Sequence, residues 1–224
     1  MTDLSRQPLA PRWKWATRNV SLTPLPVQPA THVFIHHAVS GIEGSDIDLD
    51  NDGLPDEFEA ILRQIEAFHM DVRGWRAIAY NIMVSHKGYR AAGRGWGVEG
   101  GATGGWADDQ GISICAVGNY HGVHDVTPQL IRAIVETIAE GIEQGHLVGL
   151  NKLTILGHQQ KPYATACPGS GLMKIIPSLP NRVERELNRP ARRAKRAARK
   201  RIKAMRARIQ KIRARIRKQR AKLG

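Results

Sequence analysis

Residues 32–37 read HVFIHH, and this stretch decides the architecture. A short apolar, β-branched run is the signature of a buried strand, and the paired imidazoles that close it place polar groups where the chain leaves a sheet. Three further runs share its character: residues 79–86 (AYNIMVSH), 112–118 (ISICAVG) and 153–157 (LTILG). Helical patterns separate them. The clearest covers residues 127–144, with Thr127 as N-cap, Pro128 at the first helical position, and Leu130, Ile131, Ile134, Val135, Ile138 and Ile142 along one face. A second covers residues 56–69 and leads into a loop with Arg73, Gly74 and Trp75. Strands alternating with helices predict an α/β domain built on a mixed central sheet flanked by helices.

Composition limits what else the chain holds. With 224 residues, 42% of them hydrophobic, there is material for one cored domain plus an appendage. The formal charge of +14 is unevenly placed: residues 189–224 contain 18 of the 34 Lys and Arg and none of the 20 Asp and Glu, which leaves residues 1–188 at −4. The expected layout is a Pro-rich, irregular lead-in over residues 1–30 whose Trp13 and Trp15 pack on the domain, a domain over 31–187, and a basic helical tail over 188–224. Of the two cysteines, Cys115 lies inside a buried run, so a disulfide framework is not expected. The first residues (MTDLSRQPLAPRWKW) lack the apolar core of a secretory signal, and no window has the length of apolar sequence a membrane span needs. Synthesis as a soluble cytoplasmic protein is the expectation.

The residues that carry chemistry gather after strands. His36 and His37 end one run, His158 follows another, and Cys167 lies nine residues beyond it in a loop bounded by Gly and Pro. Two imidazoles and a thiolate suit Zn²⁺, and three protein ligands leave a fourth tetrahedral position open, as catalytic sites require. Spacing alone does not choose between His36 and His37.

Five stretches stand in a recognisable order: VFIHHAVSG, FHMDVRGWRAIAYNIMVSHKG, AGRGWGVEGGA, GISICAVGNYHG and LGHQQKPYATACPG. Over residues 32–179 the chain resembles the type 2 N-acetylmuramoyl-L-alanine amidases and peptidoglycan recognition proteins, including the amidases of phage endolysins. The resemblance implies that fold, peptidoglycan as partner, and hydrolysis of the amide between N-acetylmuramic acid and L-alanine. It assigns zinc to His36, His158 and Cys167, with His37 on the opposite face of its strand. It places Tyr80 and Thr165 at the catalytic cleft. It also marks departures. Gly101, Ala102, Thr103 and Gly104 stand where the family commonly has G-A-H-T, removing a polar group that lines the groove. Cys115 occupies the place of a catalytic Glu found in some relatives, which moves weight onto Tyr80. Non-catalytic members lose the zinc cysteine, whereas Cys167 is present, so cleavage is favoured over recognition without cleavage. Together with the missing signal, the resemblance implies an endolysin that accumulates in the host cytoplasm and acts at the cell wall.

Two features lie outside that resemblance. Residues 48–59, DLDNDGLPDEFE, within an insertion at 46–59, carry Asp48, Asp50, Asp52, Asp56 and Glu59 at positions 1, 3, 5, 9 and 12 of an EF-hand loop, with Gly53 at position 6. No helix is expected before it, which leaves a lone candidate Ca²⁺ loop capping the next helix; a solvated acidic loop favouring a helix N-terminus is the alternative. In the tail, Ile202, Met205, Ile209, Ile212 and Ile216 draw an apolar stripe on a cationic helix. Like charges with no acidic partner disfavour self-pairing, so a monomer is expected and the tail's partner is anionic: wall polymer or membrane surface. A nucleic-acid reading rests on the tail alone and explains none of the ordered motifs.

Overall fold

The computed structural model describes residues 6–161 and 165–190, together with Arg201 and Met205. The chain divides into two compact units, Met1–Glu184 and Arg185–Gly224. The first contains β1 (Leu9–Ala10), α1 (Arg12–Trp15), β2 (His32–Ala38), α2 (Asp56–Ala67), β3 (Ile82–Val84), β4 (Arg90–Ala92), α3 (Trp106–Gln110), β5 (Gly111–Val117), α4 (Pro128–Glu143), β6 (Thr154–Gly157) and α5 (Ser170–Ile175). Helix α6 (Leu179–Leu187) follows. Among the described residues no helix is long and apolar enough to cross a membrane.

Six strands form one sheet in the order β1-β4-β3-β5-β2-β6. Only β3 and β4 pair antiparallel, so the sheet is mixed, as the alternation of strands and helices predicts. The central strands are covered on both faces, which is why HVFIHHA and GISICAV read as continuous apolar runs rather than alternating ones. One face, with Ala38, Met83, Cys115 and Val117, packs against Phe58, Ile61, Leu62 and Ile65 of α2. Helix α4 packs against β3. Its start follows the sequence signal closely: the Thr127 hydroxyl accepts the Leu130 N–H at 3.1 Å, and Pro128 opens the helix.

Three expectations need correction. The run 79–86 is a strand only over Ile82–Val84, because the carbonyls of Tyr80 and Asn81 turn to accept N–H groups from Arg94, Gly93 and Gly95, although the Asn81 N–H still donates to the Ser113 carbonyl at 3.0 Å. The lead-in is not wholly irregular, since β1 extends the sheet and α1 makes a single turn. Its two tryptophans part company. Trp15 is buried and donates its indole N–H to the Ala92 carbonyl at 2.8 Å, whereas Trp13 is 77% exposed. Both cysteines are free thiols, as expected. In the tail, Ile202, Ile209, Ile212 and Ile216 lie outside the described residues; Met205 is helical and exposed.

Candidate metal centre

Strand order and register build the centre. In β2 and its parallel neighbour β6, Ile35 stands opposite Gly157, so one further step along each chain sets His36 beside His158. Their rings lie 4.6 Å apart. Both strands run in the same direction, so their carboxyl ends open on the same edge, the place where open α/β sheets present ligand sites. Cys167 comes from the loop beyond β6. That loop is held from two sides: Gln159 N–H donates to the Cys167 carbonyl at 2.7 Å, and Gly171 N–H donates to the Tyr120 carbonyl at 3.0 Å. Gly169, at φ +88°, lies so close to the Tyr120 backbone that a Cβ would sit 2.6 Å from it, so this approach needs glycine.

The outcome is a group of three ligand atoms, from His36, His158 and Cys167, all within 4.8 Å of one another. The Cys167 Sγ faces His36 Nδ1 at 3.6 Å and accepts the His37 backbone N–H at 3.4 Å. His37 itself turns to the other face of β2, where its Nδ1 accepts the Tyr120 N–H at 3.1 Å. The alternation of a strand thus separates two adjacent histidines that spacing leaves equivalent.

Electrostatics prepares these groups. Burial, reinforced by the neighbouring His158 and His37, holds the His36 pKa well below its ordinary value. Burial lowers that of His158 as well, against the opposing charge of Asp108. Both imidazoles are therefore neutral at neutral pH and offer lone pairs. Burial pushes the Cys167 thiol up to about 11, partly offset by the His37 N–H. A metal ion held there would displace the thiol proton, which would couple its binding to pH.

The surrounding groove, about 710 Å³, is lined by His36, His158 and Cys167 at its floor and by Tyr80, Trp75, Phe68 and Thr165 among its walls. Tyr80 stands with its ring 5.4 Å from that of His36, and its pKa is raised well above the ordinary value by burial and by the nearby Cys115 and Cys167. A phenol so held stays protonated and acts as a donor. Thr165 accepts the Cys167 N–H at 3.1 Å, so its hydroxyl shapes the ligand loop while also facing the groove. Phe68 and Trp75 are partly exposed, and the Arg73 guanidinium lies 5.6 and 5.7 Å from their rings, giving one wall an aromatic and cationic surface.

Sequence reasoning missed the support beneath His36. Thr103, read as marking a lost polar group, is 3% exposed, and its hydroxyl bonds His36 Nε2 at 3.1 Å and Ser113 Oγ at 3.2 Å. Asp108 accepts its N–H at 3.0 Å, and Lys161 donates to its carbonyl at 3.3 Å. Thr103, at the place of that polar group, is not among the residues lining the groove, which Ala102 reaches. Of the acidic loop, the structure gathers Asp48, Asp50 and Asp56 into a second cluster; Asp52 and Glu59 are not part of that group.

Known proteins share the fold and the sequence pattern. The sequence pattern of the family described as N-acetylmuramoyl-L-alanine amidase matches residues 26–170. The chain is 32% identical over 115 residues to peptidoglycan-recognition protein SC2 of Drosophila simulans, covering 51% of this chain and 60% of that protein. It is 35% identical over 129 residues to the N-acetylmuramoyl-L-alanine amidase of Mus musculus, covering 57% of this chain and 23% of that one. The chain thus spans about three fifths of the length of the first of these relatives, or less. The X-ray structure of bumblebee PGRP-SA superposes with a TM-score of 0.67 at 27% identity, covering 76% of this chain and 94% of that one. With the fold, the ordered motifs and the matched span in agreement, the chain belongs to the N-acetylmuramoyl-L-alanine amidase family.

Proposed function

We propose that this chain is a zinc-dependent amidase that hydrolyses the bond between the lactyl group of N-acetylmuramic acid and the L-alanine of the stem peptide in peptidoglycan. The observation that carries this reading is the convergence of His36, His158 and Cys167 at the floor of an open groove, with Tyr80 beside them. Two neutral imidazoles and a soft thiolate fit Zn²⁺, and the groove side of the trio is open to a water and a substrate. When bound, zinc would supply Lewis acidity toward a carbonyl and an acidified water.

The chain's own residues do the rest. His36 would ligate through Nδ1, which faces Cys167, while Nε2 donates to Thr103 and fixes the ring and its tautomer. Tyr80, held protonated, donates to the carbonyl oxygen as it gains negative charge. Thr165 spends one lone pair on the Cys167 N–H and keeps its proton for the substrate. Water adds to the lactyl carbonyl carbon, the C–N bond breaks, and the alanine nitrogen leaves with a proton. Trp75, Phe68 and Arg73 form a wall suited to sugar faces and stem-peptide carboxylates. We read the chain further as a lytic, endolysin-type enzyme, working as a monomer after release from the host cytoplasm, with residues 188–224 holding it to anionic wall polymer or membrane.

The test is release of new N-terminal L-alanine from purified peptidoglycan by three preparations: protein as isolated, protein stripped by a zinc chelator, and stripped protein reloaded with zinc. Activity should vanish on stripping and return on reloading. A folded, zinc-loaded protein that releases none from several wall chemotypes overturns the reading in favour of recognition without cleavage.

A further inference from the structure

The second acidic cluster lies between the strand that ends in His36 and the helix that walls the groove. The carboxylate oxygens of Asp48, Asp50 and Asp56 lie within 4.8 Å of one another. Oxygens coordinating one calcium ion at about 2.4 Å from opposite sides are separated by about that distance. Gly53, at position 6 of the pattern, has φ +96°, the left-handed turn this loop requires at its centre. Acidic residues in the first turn of α2 are accounted for by the helix dipole alone, and several loop carboxylates already accept backbone N–H groups: Asp48 from Asp52 and Gly53, Asp56 from Leu49. Those facts do not call for an ion.

Glu59 does. It is 3% exposed, its Oε2 is taken by Arg63, and its Oε1 is buried with no hydrogen-bond partner. Buried carboxylate oxygens are almost always satisfied, so this one lacks an electropositive neighbour. It occupies position 12, from which the pattern supplies its closing ligand. Asp52 and Asp50 stand near enough for their charges to add to burial in raising its pKa, while Arg63 opposes them. Asp50 is itself raised by burial, by its hydrogen bond to Asp48 and by the charges of Asp52 and Asp48. The lysines nearby do not pair with these carboxylates: Lys14 donates to the Asp52 backbone carbonyl, and Lys87 pairs with Asp46 at 3.3 Å.

We propose that residues 48–59 bind one Ca²⁺ ion through the carboxylates of Asp48, Asp50 and Asp56, with the unpartnered Oε1 of Glu59, which stands outside that group, turning in as the closing ligand. All four donors are oxygens, which selects a hard cation, and the irregular surface loop suits calcium's flexible coordination better than the strict octahedron of magnesium. The ion is structural. It ties the loop leaving β2 to the first turn of α2, whose far end contributes Gln64 and Ile65 to the groove. The proposal stands independently of the amidase reading.

Calorimetric titration and thermal melts of the zinc-loaded full chain test it, with calcium and magnesium chloride as probes. Calcium should bind at one site and raise the melting temperature by roughly 5 °C at saturating concentration, with magnesium at least tenfold weaker. Asp50→Asn, on an exposed side chain, should fold as the wild type and lose at least tenfold in calcium affinity, and Glu59→Gln should lose a similar factor. No heat and no shift in the folded wild type, magnesium matching calcium, or both variants responding like the wild type overturns the proposal.

Discussion

The two clusters of metal-capable side chains differ in how they are held, and the difference shows what each is for. His36, His158 and Cys167 stand at the ends of neighbouring parallel strands or in a loop pinned to them, and their burial keeps them neutral. Nothing repels, so the trio can wait in position with a face open to the groove. Asp48, Asp50 and Asp56 lie on a surface turn, where backbone N–H groups hold Asp48 and Asp56 while the charges of Asp48 and Asp52 press on Asp50. On the readings proposed above, the first is a site prepared before its ion arrives, as catalysis demands, and the second is a segment that its ion would tie down. Rigid support, rather than the number of ligands, separates them.

The sharpest way to break this contrast is to remove one ligand from each. Cys167→Ala should abolish L-alanine release while leaving the thermal transition in place, because the loop remains tied through Gln159 and Gly171. Retained cleavage would remove the trio from the chemistry. Tyr80→Phe should follow, with kcat lowered about a hundredfold and KM little changed, since only the developing negative charge needs the phenol. A raised KM with kcat little changed would instead make Tyr80 a binding residue. Thr103→Val should cost roughly tenfold to a hundredfold in zinc affinity or activity by freeing the His36 ring. Zinc affinity measured with a competing chelator separates that loosening from a general loss of fold.

How much of this was legible in the sequence follows the same line. The strands at β2, β5 and β6 and helix α4 were readable because burial on both faces, or a Thr-Pro cap, writes itself into a few consecutive residues. The ligand trio was readable from ordered motifs; the choice of His36 over His37 came from resemblance, and geometry now gives its reason in the pleat of β2. The pedestal of Thr103, Ser113, Asp108 and Lys161 left no such mark. Thr103, Asp108 and Ser113 lie close in sequence but in a loop, a helix and a strand, Lys161 comes from beyond β6, and Thr103 stood out only as a departure. Ser113, a polar residue inside an otherwise apolar buried strand, was the one available hint. The short strands β1 and β4 were missed because two or three residues are too few to show a period.

The smallest expected effect concerns the groove wall rather than either cluster, and it tests whether preparation by burial extends beyond the ligands. His69 is 6% exposed, its Nδ1 accepts the Ala79 N–H at 3.2 Å, and its ring lies 5.6 Å from that of Tyr80. Burial, aided by Arg94 and Arg73, lowers its pKa from 6.5 to about 4. Below pH 6.5 the unfolded chain therefore takes up a proton that the folded chain refuses until about pH 4. Stability contributed by this residue is complete above pH 6.5 and is lost progressively as pH falls toward 4. Acidification to pH 5 should cost on the order of 1–2 kcal/mol through His69. His69→Gln retains an acceptor for the Ala79 N–H but cannot titrate, so its stability should fall less steeply across that window than the wild type's. An equal loss of urea-unfolding free energy between pH 7 and pH 5 in wild type and variant would show that the imidazole is solvated, and that the wall beside Tyr80 is looser than the floor.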